Sequence, residues 1–275
     1  MSTSYTKLFD FAGGKLAAAD QLMDYLPPEY GDIYLPCIGR ADIIQILRAN
    51  GAQNNIYASD INPRLVLCHN AVKQCPEEVI SVLEEHRHKH SSKYYIEIRD
   101  RFHPNMPLAH AGADNIYIAN NAYWGVIRMS AGGRCTNINA RTKFNFSPEA
   151  VRNHSHFLQN TTIVAEDYAA TVSLAKPGDL VILDPPYYRQ GSVYGCLGFT
   201  TGDHYVLRDA CNDLHRRNVL FLLTNSESDF IRHIYRNFCI EEVVIHRTLG
   251  RRKNGGHATE LWITNYRQIL ARHAA

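Results

Sequence analysis

The chain lacks any paired-cysteine pattern. Its seven cysteines are odd in number and scattered through 275 residues, with no Cys-x-x-Cys. That excludes a disulfide framework and a zinc ribbon, and it fits a reducing cytoplasm. No window approaches the run of about 18 apolar residues that a transmembrane helix requires. The first fifteen residues, "MSTSYTKLFDFAGGK", carry no apolar core of a secretory signal. Charge of one sign is scarce as well, with a formal net charge of +2 and 20% charged residues. The total therefore neither demands nor excludes a nucleic-acid partner. A glycine-rich dinucleotide turn is missing too: "GRAD" at 39–42 has one glycine where a nicotinamide-binding fingerprint needs about three. A nicotinamide-dependent dehydrogenase is disfavoured.

What is present is an ordinary apolar share of 45%, enough for one large domain or a core domain with an insertion. Basic residues gather at 86–90 ("HRHKH"), 99–103, along Arg128 to Lys143, and at 246–257 ("HRTLGRRKNGGH"). Each run alone reads as a solvated face; four of them point to a shared groove. Helical spacing of Leu16, Ala19, Leu22, Met23 and Leu26 predicts a helix over 15–26, ended by Pro27-Pro28. Strands follow at 32–39 and 55–63, with helices over 41–50 and 63–89. Residues 91–145 read as irregular, with Gly112, Gly132-Gly133 and many asparagines. Alternation resumes with strands at 161–168, 178–186 and 218–226, helices at 167–175, 203–217 and 227–237, and a closing hairpin from "CIEEVVIHRTL" and "TELWITNY". Strands alternating with helices predict a doubly wound α/β sheet with an inserted region.

In such sheets ligands sit beyond the carboxyl ends of the strands. Four strand ends carry Gly39, Asp60, Asp167 and Asp184. Asp60 has the spacing from Gly39 expected of a ribose-binding acid, or it caps the helix starting near Pro63. At "LVILDPPYY" an apolar strand stops at Asp184 on a Pro-Pro corner. Proline has no N–H and forces an extended residue before it. Asp184 and the Pro185 carbonyl could thus face a crevice as two fixed acceptors, suited to a ligand amine, with Tyr187 to stack on its ring. A flipped base with an exocyclic amine meets that description. The bland alternative is a Pro-rich turn with a capping Asp. Three histidines in "HRHKH" would share one face of a strand, but no nearby Cys or acid completes a metal site, and none is expected. His154 and His156 read as core or surface residues.

"FAGGK" at 11–15, "SDIN" at 59–62, "DPPY" at 184–187 and "NGG" at 254–256 resemble, in this order, DNA adenine methyltransferases of the Dam/DpnM type. The resemblance spans roughly 8–266. It implies a Rossmann-like methyltransferase sheet with helices on both faces, made of 1–85 and 146–275, and a target-recognition region inserted at 86–145. It further implies S-adenosylmethionine as cofactor, double-stranded DNA as partner, and methyl transfer to the N6 amine of a flipped adenine, with no metal. On that resemblance Phe11, Ala12 and Lys15 flank the cofactor, Gly39 turns under its methionine end, and Asp60 holds its ribose. Asp167 binds its adenine amine with Tyr168 beside the ring. Asp184, Pro185, Pro186 and Tyr187 form the catalytic corner. "AYWGVIRMS" resembles a recognition hairpin, with Arg128 placed to contact guanine and Trp124 where the family has a polar residue. Arg251, Arg252, Lys253 and Asn254 resemble phosphate contacts.

The cofactor loop departs from the family pattern. "LPCIGRAD" has Leu35 for an acid, Cys37 for Phe and Ala41 for a second glycine. An alanine forced to positive φ is strained, and Arg40 could offset weaker binding by pairing with the cofactor carboxylate. Two alternatives remain at this point: a catalytically impaired relative that only binds DNA or a partner, and the same chemistry on RNA or a free nucleotide.

Overall fold

A computed structural model of the chain describes residues 5–122, 127, 135–139, 141–189, 198–247 and 256–266. A 3₁₀ turn (Leu16–Ala18) leads into α1 (Ala19–Asp24), β1 (Ile33–Pro36), α2 (Asp42–Ala49), β2 (Ile56–Asp60) and α3 (Pro63–Gln74). Then come α4 (Pro76–Lys89), α5 (Ser92–Asp100), α6 (Leu108–Asn121), α7 (Pro148–Phe157), β3 (Thr161–Ala165) and α8 (Tyr168–Leu174). The chain closes with β4 (Leu180–Leu183), α9 (Thr201–Arg216), β5 (Leu220–Ser226), α10 (Asp229–Ile234), β6 (Cys239–Arg247) and β7 (Gly256–Thr264).

The strands form one sheet in the order β3-β2-β1-β4-β5-β7-β6. β1 pairs in parallel with β2 (Leu35↔Ala58) and β4 (Ile33↔Leu180), and β4 with β5 (Leu183↔Leu223). The expected hairpin is there: β6 and β7 pair antiparallel, and β7 adds to β5. The central strands "IYLP" and "LVIL" are buried at every position, as a parallel sheet covered on both faces requires. Core residues of α1 to α7 pack with Ile33, Leu35 and Ile182 on one face. Those of α8 to α10 pack with Tyr34, Val181 and Leu183 on the other. Chain order reverses between β1 and β4, so the crevice for a ligand opens at their carboxyl ends.

Local chemistry sets the helix starts. Asn62 accepts from Arg64 N–H and caps α3, with Pro63 at its first position. Ser147 caps α7 ahead of Pro148, and Thr200 with Asp203 forms a capping box on α9. Asp60 is therefore not the cap of α3.

Residues 92–100 and 108–121 are not irregular: they are α5 and α6. The expected boundary at 85/86 falls inside α4, and Tyr95, Ile98, Ile116 and Tyr117 belong to the same core as β1. The loop-like composition has a packing cause. A Cβ on Gly112 would come within 2.5 Å of Ala71 Cβ on α3, so small residues on α6 allow close helix approach. "HRHKH" ends α4 rather than forming a strand, which spreads its histidines. His86 is buried between Asp114 (3.0 Å) and the Tyr94 hydroxyl (2.8 Å), while His90 meets Tyr117. His154 is core and His156 surface. Among the described residues no helix is long and apolar enough to cross a membrane.

Candidate active site

A cavity of about 580 Å³ opens at the carboxyl ends of β3, β2, β1 and β4. Its wall is built from the ends of those strands: Glu166 and Asp167, Asp60 with Ile61 and Asn62, the Cys37–Arg40 loop, and Asp184 with Pro185 and Pro186. The 11–15 turn, Arg64, Phe102, Tyr168 and Phe199 complete it. All the expected cofactor residues (Phe11, Ala12, Lys15, Gly39, Asp60, Asp167, Tyr168) line this one space. Trp124, Arg128, Arg251, Arg252, Lys253 and Asn254 lie outside the described residues.

At the Pro-Pro corner, Asp184 is largely buried, its side chain 17% exposed. Its Oδ1 accepts from Thr224 Oγ1 on the neighbouring strand (2.7 Å) and pairs with Lys15 Nζ (2.9 Å). Burial raises the Asp184 carboxyl pKa, opposed by Lys15. Lys15 loses solvation too, but Asp184, Tyr187 and Glu260 outweigh that and hold it as an ammonium. No hydrogen bond among the described residues uses the Pro185 carbonyl. Asp184 and Pro185 both line the cavity.

Tyr187 does not sit where the sequence places it. It is 3% exposed, is absent from the cavity wall, and its hydroxyl accepts from Lys15 Nζ (2.6 Å) and donates to Glu260 Oε2 (2.7 Å). A buried phenol needs hydrogen-bond partners, and these two draw the ring inward. The aromatic rings that do face the cavity are Phe11, Phe102, Tyr168 and Phe199. Glu260, on β7, carried no sequence signal; only the pairing of β7 with β5 brings it to Lys15, at 3.7 Å.

The cofactor loop is strained as the sequence predicts, and at more than one position. Cys37, Gly39 and Ala41 have φ of 63°, 51° and 62°; each non-glycine residue there costs about 1–2 kcal/mol. Hydrogen bonds hold the conformation: Ile38 N–H to Ser59 O, Ala41 N–H to Ile38 O, and Gly39 N–H to Asp60 Oδ2 at 3.0 Å. Two buried histidines brace it from beneath. His69 Nε2–H donates to Gly39 O (2.7 Å) and His154 Nε2–H to Arg40 O (3.2 Å), the rings stacked 5.9 Å apart.

Arg40 is already engaged by a carboxylate of the chain itself. Its guanidinium is bidentate to Asp42 (2.7 and 2.6 Å) and donates to Phe9 O. Asp42 also accepts from Lys15 N–H at 2.7 Å, tying the 11–15 turn to the loop. A Cβ on Gly14 would lie 2.4 Å from Arg40 Nη2, so this approach needs glycine there. Asp167 caps α8 through Ala169 N–H (2.9 Å) and still faces the cavity. The capping and ligand-facing readings of this acid are compatible.

Burial pushes His69 down to about 4 and His154 to about 3, so both are neutral at pH 7. The unfolded chain takes up these protons near pH 6.5. Stability conferred by the neutral pair is full above that value and is lost as pH falls toward the folded pKa values. Asp184 and Asp60, whose pKa values burial raises, act in the opposite sense. Thermal denaturation between pH 7 and 5 should show a steadily falling Tm, with a shallower slope in His69→Gln and His154→Gln. Equal slopes in variants and wild type would refute the brace.

A family profile of "D12 class N6 adenine-specific DNA methyltransferase" matches residues 11–249. The chain is 26% identical over 279 aligned positions to the type II methyltransferase M1.LlaDCHI of Lactococcus lactis subsp. cremoris, covering 93% of this chain and 94% of that one. It is 27% identical to the type II methyltransferase M.MjaIII of Methanocaldococcus jannaschii (93% and 97% covered). A DNA adenine methylase of Vibrio cholerae is 23% identical (89% and 90% covered). With the profile spanning most of its length, the chain belongs to the D12 class of N6 adenine-specific DNA methyltransferases.

Proposed function

We propose that the cavity binds S-adenosylmethionine and that the Asp184–Pro185 corner receives an adenine turned out of the DNA duplex. One observation carries this reading: adjacent strand ends deliver Asp167, Asp60, the Gly39 loop and the Asp184–Pro185 acceptors to the same cavity. The space fits the cofactor in size and chemistry, with carboxylates for ribose hydroxyls and an adenine amine beside Phe11, Tyr168 and Phe199. When bound, S-adenosylmethionine supplies an electrophilic sulfonium methyl.

The chain's residues prepare the nucleophile. Adenine's amine is weak because its lone pair is delocalised into the ring. Hydrogen bonds from that amine to Asp184 and to the Pro185 carbonyl favour a pyramidal nitrogen whose lone pair can point at the methyl. Positioning and fixed acceptors then supply most of the rate. The methylated amine carries one proton too many. Asp184, with its raised pKa, stands at the corner to receive it. Thr224 and Lys15 fix the carboxylate, an intact machinery that speaks against a binding-only relative.

Residues 122–145 and the basic run at 246–257 are the proposed DNA-reading and phosphate-binding segments, with Trp124 and Arg128 in the first and Arg251, Arg252, Lys253 and Asn254 in the second. Six cysteines among the described residues are free thiols, which supports a reducing, cytoplasmic setting. The names of the type II relatives support a restriction-modification role. Base extrusion is tested with a duplex carrying 2-aminopurine at the target adenine. Enzyme should raise its fluorescence several-fold, because the probe leaves the stack. An unchanged signal on a duplex that is bound, when the same sequence with adenine at that position is methylated, would contradict extrusion.

A further inference from the structure

Among the described residues three cations line the cavity: Lys15, Arg40 and Arg64. Lys15 is held by Asp184, Glu260 and Tyr187, and Arg40 by Asp42. Arg64 is different. It is 7% exposed, and its guanidinium lies over the Phe102 ring, 3.8 Å from the centroid. Among the described residues no carboxylate comes within ion-pair distance of it. Asp114 is taken by Arg101 and His86, and Asp100 by Arg99. The segments outside the described residues contain no Asp or Glu at all. Among the described residues its guanidinium donates no hydrogen bond; its backbone N–H donates to Asn62 Oδ1.

A buried cation without an anion is costly. Burial accordingly pulls the Arg64 pKa down, with Cys135, Asp114 and Asp100 opposing. Stacking on Phe102 satisfies the face of the guanidinium and leaves its five N–H donors free. Those donors are left to water or to an oxyanion that enters the cavity.

We infer that Arg64, stacked on Phe102 in the cavity wall, is a ligand-binding residue that holds an oxyanion of a bound substrate. This rests on the reading of the cavity as the cofactor and target-base site. Two oxyanions reach that space: the carboxylate of the cofactor's methionine and a phosphate of the extruded nucleotide. Arginine's planar fork suits either.

The test uses the full chain as wild type, Arg64→Met and Arg64→Lys. Calorimetry reads binding of S-adenosylhomocysteine, of decarboxylated S-adenosylmethionine, and of a duplex at several salt concentrations, and Tm is taken without ligand. Because Arg64→Met removes an unpaired buried charge, its ligand-free Tm should equal or exceed that of wild type. For a carboxylate, the methionine variant should lose about 10- to 100-fold in S-adenosylhomocysteine affinity, little for the decarboxylated compound, and regain part as lysine. For a phosphate, cofactor affinity should hold while duplex affinity falls and its salt slope drops by about one. A lowered Tm with parallel loss of every ligand, or unchanged binding throughout, would overturn the inference. Failure of wild type itself to bind S-adenosylhomocysteine would instead overturn the functional reading.

Discussion

Asp184→Asn is expected to lower kcat for methyl transfer by about 10²–10³, as loss of one preorganised polar contact to a reacting group does, while cofactor affinity changes only a few-fold. The exchange preserves shape and the bond from Thr224, which now meets an amide oxygen 40 residues back along the chain. What it removes is the charge that accepts from the adenine amine and takes its proton. The amide also turns two N–H donors toward a corner that must present acceptors only. Because the interaction strengthens as the amine gains positive charge, the loss belongs in kcat more than in KM. Steady-state kinetics with cofactor titrated in each variant separates the two. A variant within tenfold of wild type in kcat would remove Asp184 from the chemistry.

Lys15→Met is expected to be the most destabilising single change in the site. The ammonium pairs Asp184 (2.9 Å) and approaches Glu260 (3.7 Å), and both carboxylates are largely buried. Removing one partner of a buried ion pair typically costs about 3–5 kcal/mol, which at this chain length corresponds to roughly 6–20 °C in Tm. The site can relieve that cost by protonating a carboxylate. Lys15 is the group that lowers the Asp184 pKa against burial, so its loss moves that pKa further up. The sign follows. Activity needs Asp184 ionised, so the acid limb of the pH–rate profile should shift to higher pH. Adding Glu260→Gln removes the second negative charge and should restore part of the Tm, a coupling readable by a double-mutant cycle. A Tm within about 2 °C of wild type and an unmoved acid limb would show that Lys15 does not hold the network together.

The sheet was legible because its strands are short apolar runs, and β1, β2, β3 and β4 all lie inside the predicted spans, each ending about three residues early. The position of Asp184 was legible for the same reason: it must lie at a carboxyl end once "LVIL" is a central strand. Residues that act through space were not. Glu260 and Thr224 reach Lys15 and Asp184 only after distant elements pair. His69 and His154 look like any helical histidine until two carbonyls of a strained loop appear above them. Tyr187 was misplaced because alternation along an irregular corner does not say which way a side chain turns. The helix α6 was missed because alanine, glycine and asparagine buried on every face show no amphipathic period. Arg64 stood in the sequence as one more basic residue near a helix start, where only the fold reveals that no acid meets it.

The most direct measurement is transfer of labelled methyl from S-adenosylmethionine to unmethylated double-stranded DNA, followed by nucleoside analysis, with Asp184→Asn alongside. The account predicts label in N6-methyladenine for wild type and its near-complete loss in the variant, with cofactor still bound. Label in another nucleoside, or equal labelling by the variant, would contradict the assignment of this cavity and corner to adenine methylation.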